Sequence, residues 1–399
     1  VNGPFKAVKV TDDVYWVGAV DWAIRDFHGY STSRGTTYNA FLIIADTVTL
    51  MDTVKAPFKD EMLSRIASVI DPADIQYIIS HHSEMDHTGS LPPVIEAVKP
   101  EKVFASVMGV KALNKHFGID REIIALKDGE TLSLGNRTLT FLETRMLHWP
   151  DSMVSYLAEE KLLFSQDGFG MHLASSERFA DEIPYEVLEW EAAKYYANIL
   201  LPLSPLVLKL LKRVTELGLE FDIIAPDHGP IWRHDPSPIV GLYAKWATQK
   251  PKNKAVVVYD SMWESTSLMA RAIGDGLAAG GSEVKLMKLR SSHRSDVATE
   301  VLDAGALLVG SPTMNNNMFP TVADVLTYLK GLKPRNKIGA AFGSFGWSGE
   351  AVKQVEAVLG DMKVPLAAEG LKCQYVPKEN ELARCFELGQ AIARKLADI

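Results

Sequence analysis

Two α/β domains of different build are expected of this chain: a layered sandwich rich in short strands, then an open parallel sheet covered by helices on both faces. Three features lead there. The chain has 399 residues, more than a single hydrophobic core usually serves. In the first part short strand-like runs outnumber helical ones, whereas from residue 255 strand-like and helix-like runs alternate, as crossover-built parallel sheets require. Between them lies the polar stretch 247–254, which contains Pro251, has no apolar period and suits a linker. The expected domains are residues 1–250 and 251–399.

In the first domain, strands are expected at 14–17, 38–44, 48–50, 75–79, 102–105, 138–142, 153–157, 161–164 and 221–226, mostly bounded by Gly, Asp, Asn or Pro, as two packed sheets demand. Helical periodicity covers 58–70, 91–98 and 206–217. In the second domain, strands are expected at 255–259, 284–289, 306–309, 338–342 and 371–376. They interleave with helices at 267–279, 297–303, 322–331, 349–359 and 379–396. No internal repeat interrupts this order.

Composition narrows the class of partner. Apolar residues make up 47% and charged residues 23%, and 42 basic against 50 acidic side chains leave a net charge of −8. That balance offers nothing to attract nucleic acid or an anionic membrane. The two cysteines, Cys373 and Cys385, are too few for a disulfide framework and suit a reducing compartment. The first residues carry no apolar signal core, and the mainly apolar stretch 197–211 is interrupted by Pro202 and Pro205, short of the roughly 20 residues that span a bilayer. A cytoplasmic protein is expected.

Chemistry concentrates in the heptapeptide His81-His82-Ser83-Glu84-Met85-Asp86-His87, directly after the apolar run Ile75–Ile79. Imidazoles and carboxylates at that density, emerging from a strand end, suit metal ions. His148, Asp167 and His228 repeat the pattern, each placed just beyond an expected strand, so one edge of a sandwich could gather them. A single such histidine would read as a surface or core residue. Together with His82, Glu84, Asp86 and His87 they are more ligands than one first-row ion takes, so a binuclear site with Asp167 between two ions is expected. Carboxylates and imidazoles without thiolate favour a five- or six-coordinate ion such as iron or manganese over structural zinc.

His82-Ser83-Glu84-Met85-Asp86-His87 resembles the metallo-β-lactamase-like motif His-x-His-x-Asp-His, with Glu84 in place of its second histidine. That replacement is the pattern of the flavodiiron proteins, or A-type flavoproteins. The match continues through Leu147-His148-Trp149-Pro150-Asp151-Ser152-Met153, Ser165-Gln166-Asp167 and Pro226-Asp227-His228-Gly229 and spans essentially the whole chain. The resemblance implies a metallo-β-lactamase-like αββα sandwich followed by a flavodoxin-like doubly wound sheet. It also implies that His82, Glu84 and His148 hold one iron, that Asp86, His87 and His228 hold the other, and that Asp167 bridges them.

The start of the second domain carries a second constellation. After the run 255–259 come Asp260-Ser261-Met262-Trp263-Glu264-Ser265-Thr266-Ser267 and a helix; hydroxyls and N–H groups at a helix start can cradle a phosphate, although such a turn is as often a simple cap. By resemblance to flavodoxin-like domains, Ser261, Met262, Trp263, Glu264, Ser265 and Thr266 look like the phosphate loop for FMN. Two more strand-end loops follow: Pro312, Thr313, Met314, Asn315 and Asn316, then Ser344, Phe345, Gly346, Trp347, Ser348 and Gly349. Both fall at the carboxyl edge, where such sheets bind ligands, and Trp347 is placed to stack on the flavin ring. No Gly-x-Gly-x-x-Gly follows a strand, which favours FMN over FAD or NAD.

A diiron site beside a flavin implies delivery of electrons to a small oxidant. The resemblance implies reduction of O2 to water, coupling of two NO to N2O, or both. Trp22, Arg25, His28 and Tyr30 are candidates to line the pocket, with His28 or Tyr195 supplying a hydrogen bond or a proton. Asp151 and Asp227 are candidates to fix imidazole tautomers, and His172 has no assigned role. The resemblance further implies a head-to-tail homodimer that sets the FMN of one chain against the irons of the other. No Cys-x-x-Cys module is present, so the electron donor is expected to be a separate protein such as rubredoxin or a flavin reductase. The competing readings are a binuclear metallohydrolase of the β-lactamase class with an accessory flavin domain, and an electron carrier whose first domain is a scaffold.

Overall fold

The structure, a computed structural model, describes residues 3–398 in two compact units. The first runs to His28 and includes Thr32–Tyr195 and Pro205–Ala244; the second takes in Gly29–Ser31, Tyr196–Ser204 and the chain from Lys245 onward.

Two sheets form the first unit. The seven-stranded sheet has the order Val8–Lys9, Val14–Trp16, Phe41–Ile43, Thr49–Met51, Tyr77–Ser80, Lys102–Ser106, Ile124–Leu126. Its first half is antiparallel and, from Thr49–Met51 onward, its neighbours are parallel. The five-stranded sheet has the order Thr131–Ser133, Thr138–Glu143, Met153–Leu157, Leu162–Gln166, Ile223–Pro226. Alternation decides which face is buried: in the second sheet Leu139 and Phe141 are covered while Thr138 and Thr140 are partly open. A single buried cluster joins Trp16, Phe41 and Ile79 of one sheet to Phe141, Leu157 and Phe164 of the other. A separate cluster under Met62, Ile66, Val94 and Leu113 ties helices to the first sheet.

Most expected elements of this unit are present, and the departures have local causes. The run 38–44 is split, because Thr36–Tyr38 pairs with Ala19–Asp21 while Phe41–Ile43 joins the main sheet. Asn39 lies at the break, and its amide donates to the carbonyls of Pro226 at 2.6 Å and Gly229 at 2.9 Å. Helix Tyr185–Tyr195 was not expected; it buries Glu191 and Lys194 beside Leu188 and Ala192, so it carries no apolar stripe. Helix Val107–Phe117 also escaped notice, although Ser106 caps it through Gly109 N at 3.0 Å and Gly118 ends it at φ +56°.

The second unit is a five-stranded sheet in the order Glu283–Lys288, Lys252–Tyr259, Ala304–Gly310, Ile338–Phe345, Leu371–Gln374, with every neighbour parallel. In sequence order this is 2-1-3-4-5, so a ligand crevice is expected where strands one and three diverge. Helices Ser265–Ala279 and Glu379–Ala397 pack closely. A Cβ on Gly276 would lie 2.0 Å from Phe386 O, and one on Gly389 would lie 2.2 Å from Ile273 O, so only glycine allows the approach.

The expected linker is corrected here. Residues 237–247 are helical and Lys252–Lys254 open the first strand of the second unit. Lys254 is buried, with Nζ 2.7 Å from Glu300 and 2.8 Å from Asp303, and Gln249 is buried with its side-chain oxygen accepting from Arg335 N at 2.8 Å. Polar side chains paired inside a protein leave no apolar period to read. Among the described residues no helix is long and apolar enough to cross a membrane.

Candidate metal centre and cofactor groove

Four strand ends of the first unit deliver the metal-type side chains. His82 and Glu84 follow Tyr77–Ser80, and Asp86 and His87 lie in the short helix Met85–Thr88 that Glu84 precedes. Asp167 follows Leu162–Gln166, where a bulge between Phe164 and Gln166 and a left-handed Gln166 at φ +56° re-aim the chain. His228 follows Ile223–Pro226. His148 departs slightly from expectation: its strand ends at Glu143 and the residue lies in the turn beyond.

These side chains meet as two groups. His82, Glu84, His148 and Asp167 offer ligand atoms all within 4.8 Å of one another, and so do Asp86, His87 and His228. Asp167 Oδ2 lies 3.0 Å from His148 Nε2 and 3.5 Å from His82 Nε2. Its Oδ1 lies 3.2 Å from His87 Nε2 and 3.5 Å from His228 Nε2. Each oxygen of Asp167 therefore faces a different group. Glu84 Oε2 stands 3.2 Å from His82 and 3.3 Å from His148, and Asp86 Oδ2 stands 3.0 Å from His228.

Iron fits these residues on three counts. Both oxygens of Asp86, both oxygens of Asp167 and both ring nitrogens of His87 are buried without a hydrogen-bond partner, a costly state for a polar group left to itself. Neighbouring ligands about 2.1 Å from one ion and at right angles to it would be about 3.0 Å apart, close to the spacings found. Burial opposes charge on His82 and His148, yet Asp151, Glu84 and Asp167 raise the first to about 9, and Asp167 and Glu84 raise the second to about 10. Three carboxylates here demand positive charge, which cations supply better than protonated imidazoles.

Other groups hold the imidazoles. His228 Nδ1 donates to Thr37 O at 2.6 Å, leaving Nε2 toward the carboxylates. Gly229, at φ +79°, donates its N–H to Thr37 Oγ1 at 2.7 Å; a Cβ there would lie 2.7 Å from Met171. Asp151 Oδ2 is 3.4 Å from His82 Nδ1 and accepts from Ser83 N at 2.6 Å. Asp227 Oδ2 is 3.5 Å from His87 Nδ1. Sequence reading missed Thr37 and Asn39, and no local signal marks them.

Of the pocket candidates, His28 reaches furthest. Its Nε2 is 2.8 Å from Glu84 Oε1, and its side chain is 49% exposed; the bond to Glu84 raises its pKa above the ordinary value. Tyr195 is buried, its ring 5.1 Å from that of His172 and 6.3 Å from that of His228. Burial and nearby Asp167 keep its phenol protonated. His172 sits 2.9 Å from Thr36 Oγ1, and burial with the neighbouring His228 keeps it neutral. Arg25 does not turn inward, since its guanidinium donates to the carbonyls of Trp22 and Ile24 at 2.8 Å. Trp22 is exposed, and Tyr30 is buried in the second unit.

A groove of about 390 Å³ opens at the carboxyl edge of the second unit's sheet, within the range of cofactor pockets. From the expected residues it gathers Met262, Trp263, Ser265, Pro312, Thr313, Asn315, Asn316, Ser344, Phe345, Gly346, Trp347 and Ser348. Trp263 and Trp347 stand at its rim 88% and 89% exposed, and Ser265 opens a 15-residue helix, so N–H groups and a hydroxyl face the groove. FMN, with an apolar ring and a phosphate, fits that division.

Five expected residues do not line the groove. Ser261 and Thr266 are buried, Thr266 Oγ1 pairing with Ser344 Oγ at 2.9 Å. Glu264, left-handed at φ +65°, turns its carboxylate to Lys288 at 2.6 Å. Met314 belongs to a small hairpin with Asn317–Met318, and a Cβ on Gly349 would lie 3.3 Å from the Phe345 ring. Tyr375 and Val376 do line the groove and were missed. Their signal was position, because they follow the fifth strand at the same edge.

Comparison with known proteins finds a match for each unit. A family model described as ODP family beta lactamase matches residues 36–229, and a flavodoxin model matches residues 257–389. The nitric oxide reductase of Moorella thermoacetica is 49% identical over 395 residues, covering 98% of this chain and 99% of that protein. The structure of rubredoxin oxygen:oxidoreductase from the anaerobe Desulfovibrio gigas matches with a TM-score of 0.97 at 49% identity, over 98% of this chain and 99% of that one. The flavodiiron protein from Giardia intestinalis matches with a TM-score of 0.96 at 35% identity, over 99% and 98%. Whole-length identity at this level, spanning both units, makes the chain a member of the flavodiiron protein family.

Proposed function

We propose that this chain reduces nitric oxide to nitrous oxide, dioxygen to water, or both, at a non-haem diiron site, with FMN relaying electrons from a separate carrier such as rubredoxin. The observation that carries the reading is Asp167, whose two oxygens face two different groups of buried imidazoles and carboxylates. Relatives named for nitric oxide reduction and for rubredoxin-linked oxygen reduction support it. The assignment places the diiron chemistry in residues 1–250 and FMN in residues 251–399. His82, Glu84 and His148 would hold one iron and Asp86, His87 and His228 the other, with Asp167 facing both groups.

When bound, the irons supply electrons and open coordination positions to a small oxidant, and FMN supplies the electrons to the irons. The chain's own residues do the rest. Glu84, Asp86 and Asp167 set the charge of the centre, while Thr37 and Asp151 hold the imidazoles of His228 and His82 so that Nε2 points inward, and Asp227 faces His87 Nδ1 at 3.5 Å. Reduction of O2 to water consumes four protons, and coupling of two NO to N2O and water consumes two. His28, half-exposed and 2.8 Å from Glu84, stands between solvent and the centre and is placed to pass them. Tyr195, buried and protonated beside His228, is the second donor in reach of that side.

The same proposal includes a head-to-tail homodimer in the cytoplasm. Met85 and Met146, exposed beside metal ligands, and Trp263 and Trp347, exposed at the groove, are apolar surface that such a pairing would cover. A hydrolase of the β-lactamase class is disfavoured by Glu84, which stands where that motif has histidine, and by the flavodoxin match over residues 257–389.

The test is direct. Metal and flavin analysis is expected to give two irons and one FMN per chain, and anaerobic stopped-flow mixing with each gas is expected to reoxidise both cofactors. Two zinc ions with thioester hydrolysis and no gas consumption would sink the proposal, and full turnover by a monomer would remove the dimer.

A further inference from the structure

Asp52, His81 and Ser155 form a line of hydrogen-bonded side chains between the two sheets of the first unit. Asp52 follows Thr49–Met51 and His81 follows Tyr77–Ser80, both in the seven-stranded sheet, whereas Ser155 lies within Met153–Leu157 of the five-stranded sheet. His81 Nδ1 is 2.5 Å from Asp52 Oδ2, and its Nε2 is 2.8 Å from Ser155 Oγ. The main chain of His81 repeats both links: its N–H donates to Asp52 Oδ1 at 2.8 Å, and its carbonyl accepts from Met153 N at 3.2 Å. One residue is thus held at four points, two on each sheet.

Ser, His and Asp in this order are the parts of a nucleophilic relay. Here that use is closed off. Asp52, His81 and Ser155 are 3%, 1% and 0% exposed, so no substrate can reach the hydroxyl, and a nucleophile needs that approach. What the arrangement can do is fix a distance.

The distance matters because the metal group nearest His81 draws from both sheets. His82 and Glu84 come from the loop after Tyr77–Ser80, while His148 and Asp167 come from loops of the five-stranded sheet. The far end of the ligand loop is held separately, by Thr53 Oγ1 donating to His87 O at 2.5 Å. The adjacent residues Asp52 and Thr53 therefore anchor the two ends of His81–His87.

We propose that Asp52, His81 and Ser155 are positioning residues that brace the two sheets at the ligand loop and keep His82 and Glu84 in register with His148 and Asp167. The brace acts on one iron more than on the other, because His87 and His228 of the second group are secured by Thr53 and Thr37 instead. A residue that merely stabilises the fold would not discriminate between them.

The experiment compares the parent holoprotein with Ser155→Ala, which removes one link of the brace without adding bulk. Iron release to a chelator is followed under anaerobic conditions, with Mössbauer spectra to count the two irons and FMN content as the check on the second unit. Ser155→Ala is expected to release one of its two irons about tenfold faster than the parent, with the other iron and the flavin retained. Unchanged release, or both irons lost at the same raised rate, overturns the proposal. Should Ser155→Ala fail to fold, Asp52→Asn is read in the same way, since it keeps an acceptor for His81 N–H and loses the carboxylate at the ring. The inference rests on the two-iron reading: a parent chain that binds fewer than two irons removes both, whereas unchanged release from Ser155→Ala removes this one alone.

Discussion

The metal centre and the cofactor groove solve binding in opposite ways. His82, His87, Asp167 and His228 are at most 1% exposed, and each owes its orientation to hydrogen bonds, ring contacts or the bend of its own strand end. The groove instead presents Trp263 and Trp347 almost entirely to solvent and relies on a helix start and strand-end loops. A site made of side chains is specified by residue type. One made largely of backbone and aromatic surface is specified by where the loops fall.

The sharpest break in that contrast is Asp167→Asn. Losing the negative charge that faces both groups is expected to take the iron content from two per chain to below one and to lower gas reduction more than about 100-fold, beyond the loss typical for residues that only support ligands. FMN content is expected to stay at one per chain. Atomic absorption and flavin absorbance on the same sample check both, and coupled loss of FMN would show that the two sites are not independent.

Removal of metal by a chelator comes next. Without cations, Glu84, Asp86 and Asp167 keep only imidazoles that must be charged against the cost of their own burial, a penalty of about 3 kcal/mol, and for a unit of this size each kcal/mol lowers Tm by about 3 °C. The first unit's transition is therefore expected to fall by about 10 °C in calorimetry, and FMN removal is expected to leave it in place. A flavin-dependent transition of the first unit would break the comparison.

A smaller effect is expected of Trp347→Ala. An aromatic stack contributes about 0.5–1.5 kcal/mol beyond the area it covers, so FMN affinity is expected to weaken roughly 2- to 13-fold by fluorescence titration, with iron unchanged. Exposure of that side chain in the free groove means that truncation leaves no cavity in the core, which keeps the readout clean.

The same difference explains what could be read without coordinates. The seven candidate ligands, which the structure gathers into two groups, were legible because clustered imidazoles and carboxylates have few other uses. Asp52, Thr53, Thr37 and Asn39 were not, since they act through ordinary hydrogen bonds to residues between about 30 and 190 positions away and resemble any other polar residue at a strand end. In the groove the loops were legible and the individual contacts were not: Thr266 and Glu264 turn to Ser344 and Lys288, while Tyr375, read as strand, faces the cavity. Helices followed the same rule. Leu91–Val98 shows its stripe and was placed at its observed bounds, whereas Tyr185–Tyr195 buries charges and shows none.

Lys337 turns the comparison into one about buried charge. The first unit holds Glu84, Asp86 and Asp167 ionised and answers them with cations; the second unit buries this lysine, whose Nζ donates to Ala304 O at 2.7 Å. Burial pushes the amine down to about 7, with Asp303 opposing the shift. A folded pKa below the unfolded 10.5 means that folding is penalised in full below about pH 7, where both states are charged. The penalty is relieved as pH rises toward 10.5, because the unfolded chain then binds the extra proton. Lys337→Met removes the charge at all pH values, so its stability relative to the parent is expected to be highest at pH 6–7 and to decline by about 1 kcal/mol or more by pH 10, measured as urea midpoints of the second unit. A constant difference across that range would mean that the amine stays protonated inside the fold and that the second unit, like the first, holds a buried charge by pairing it.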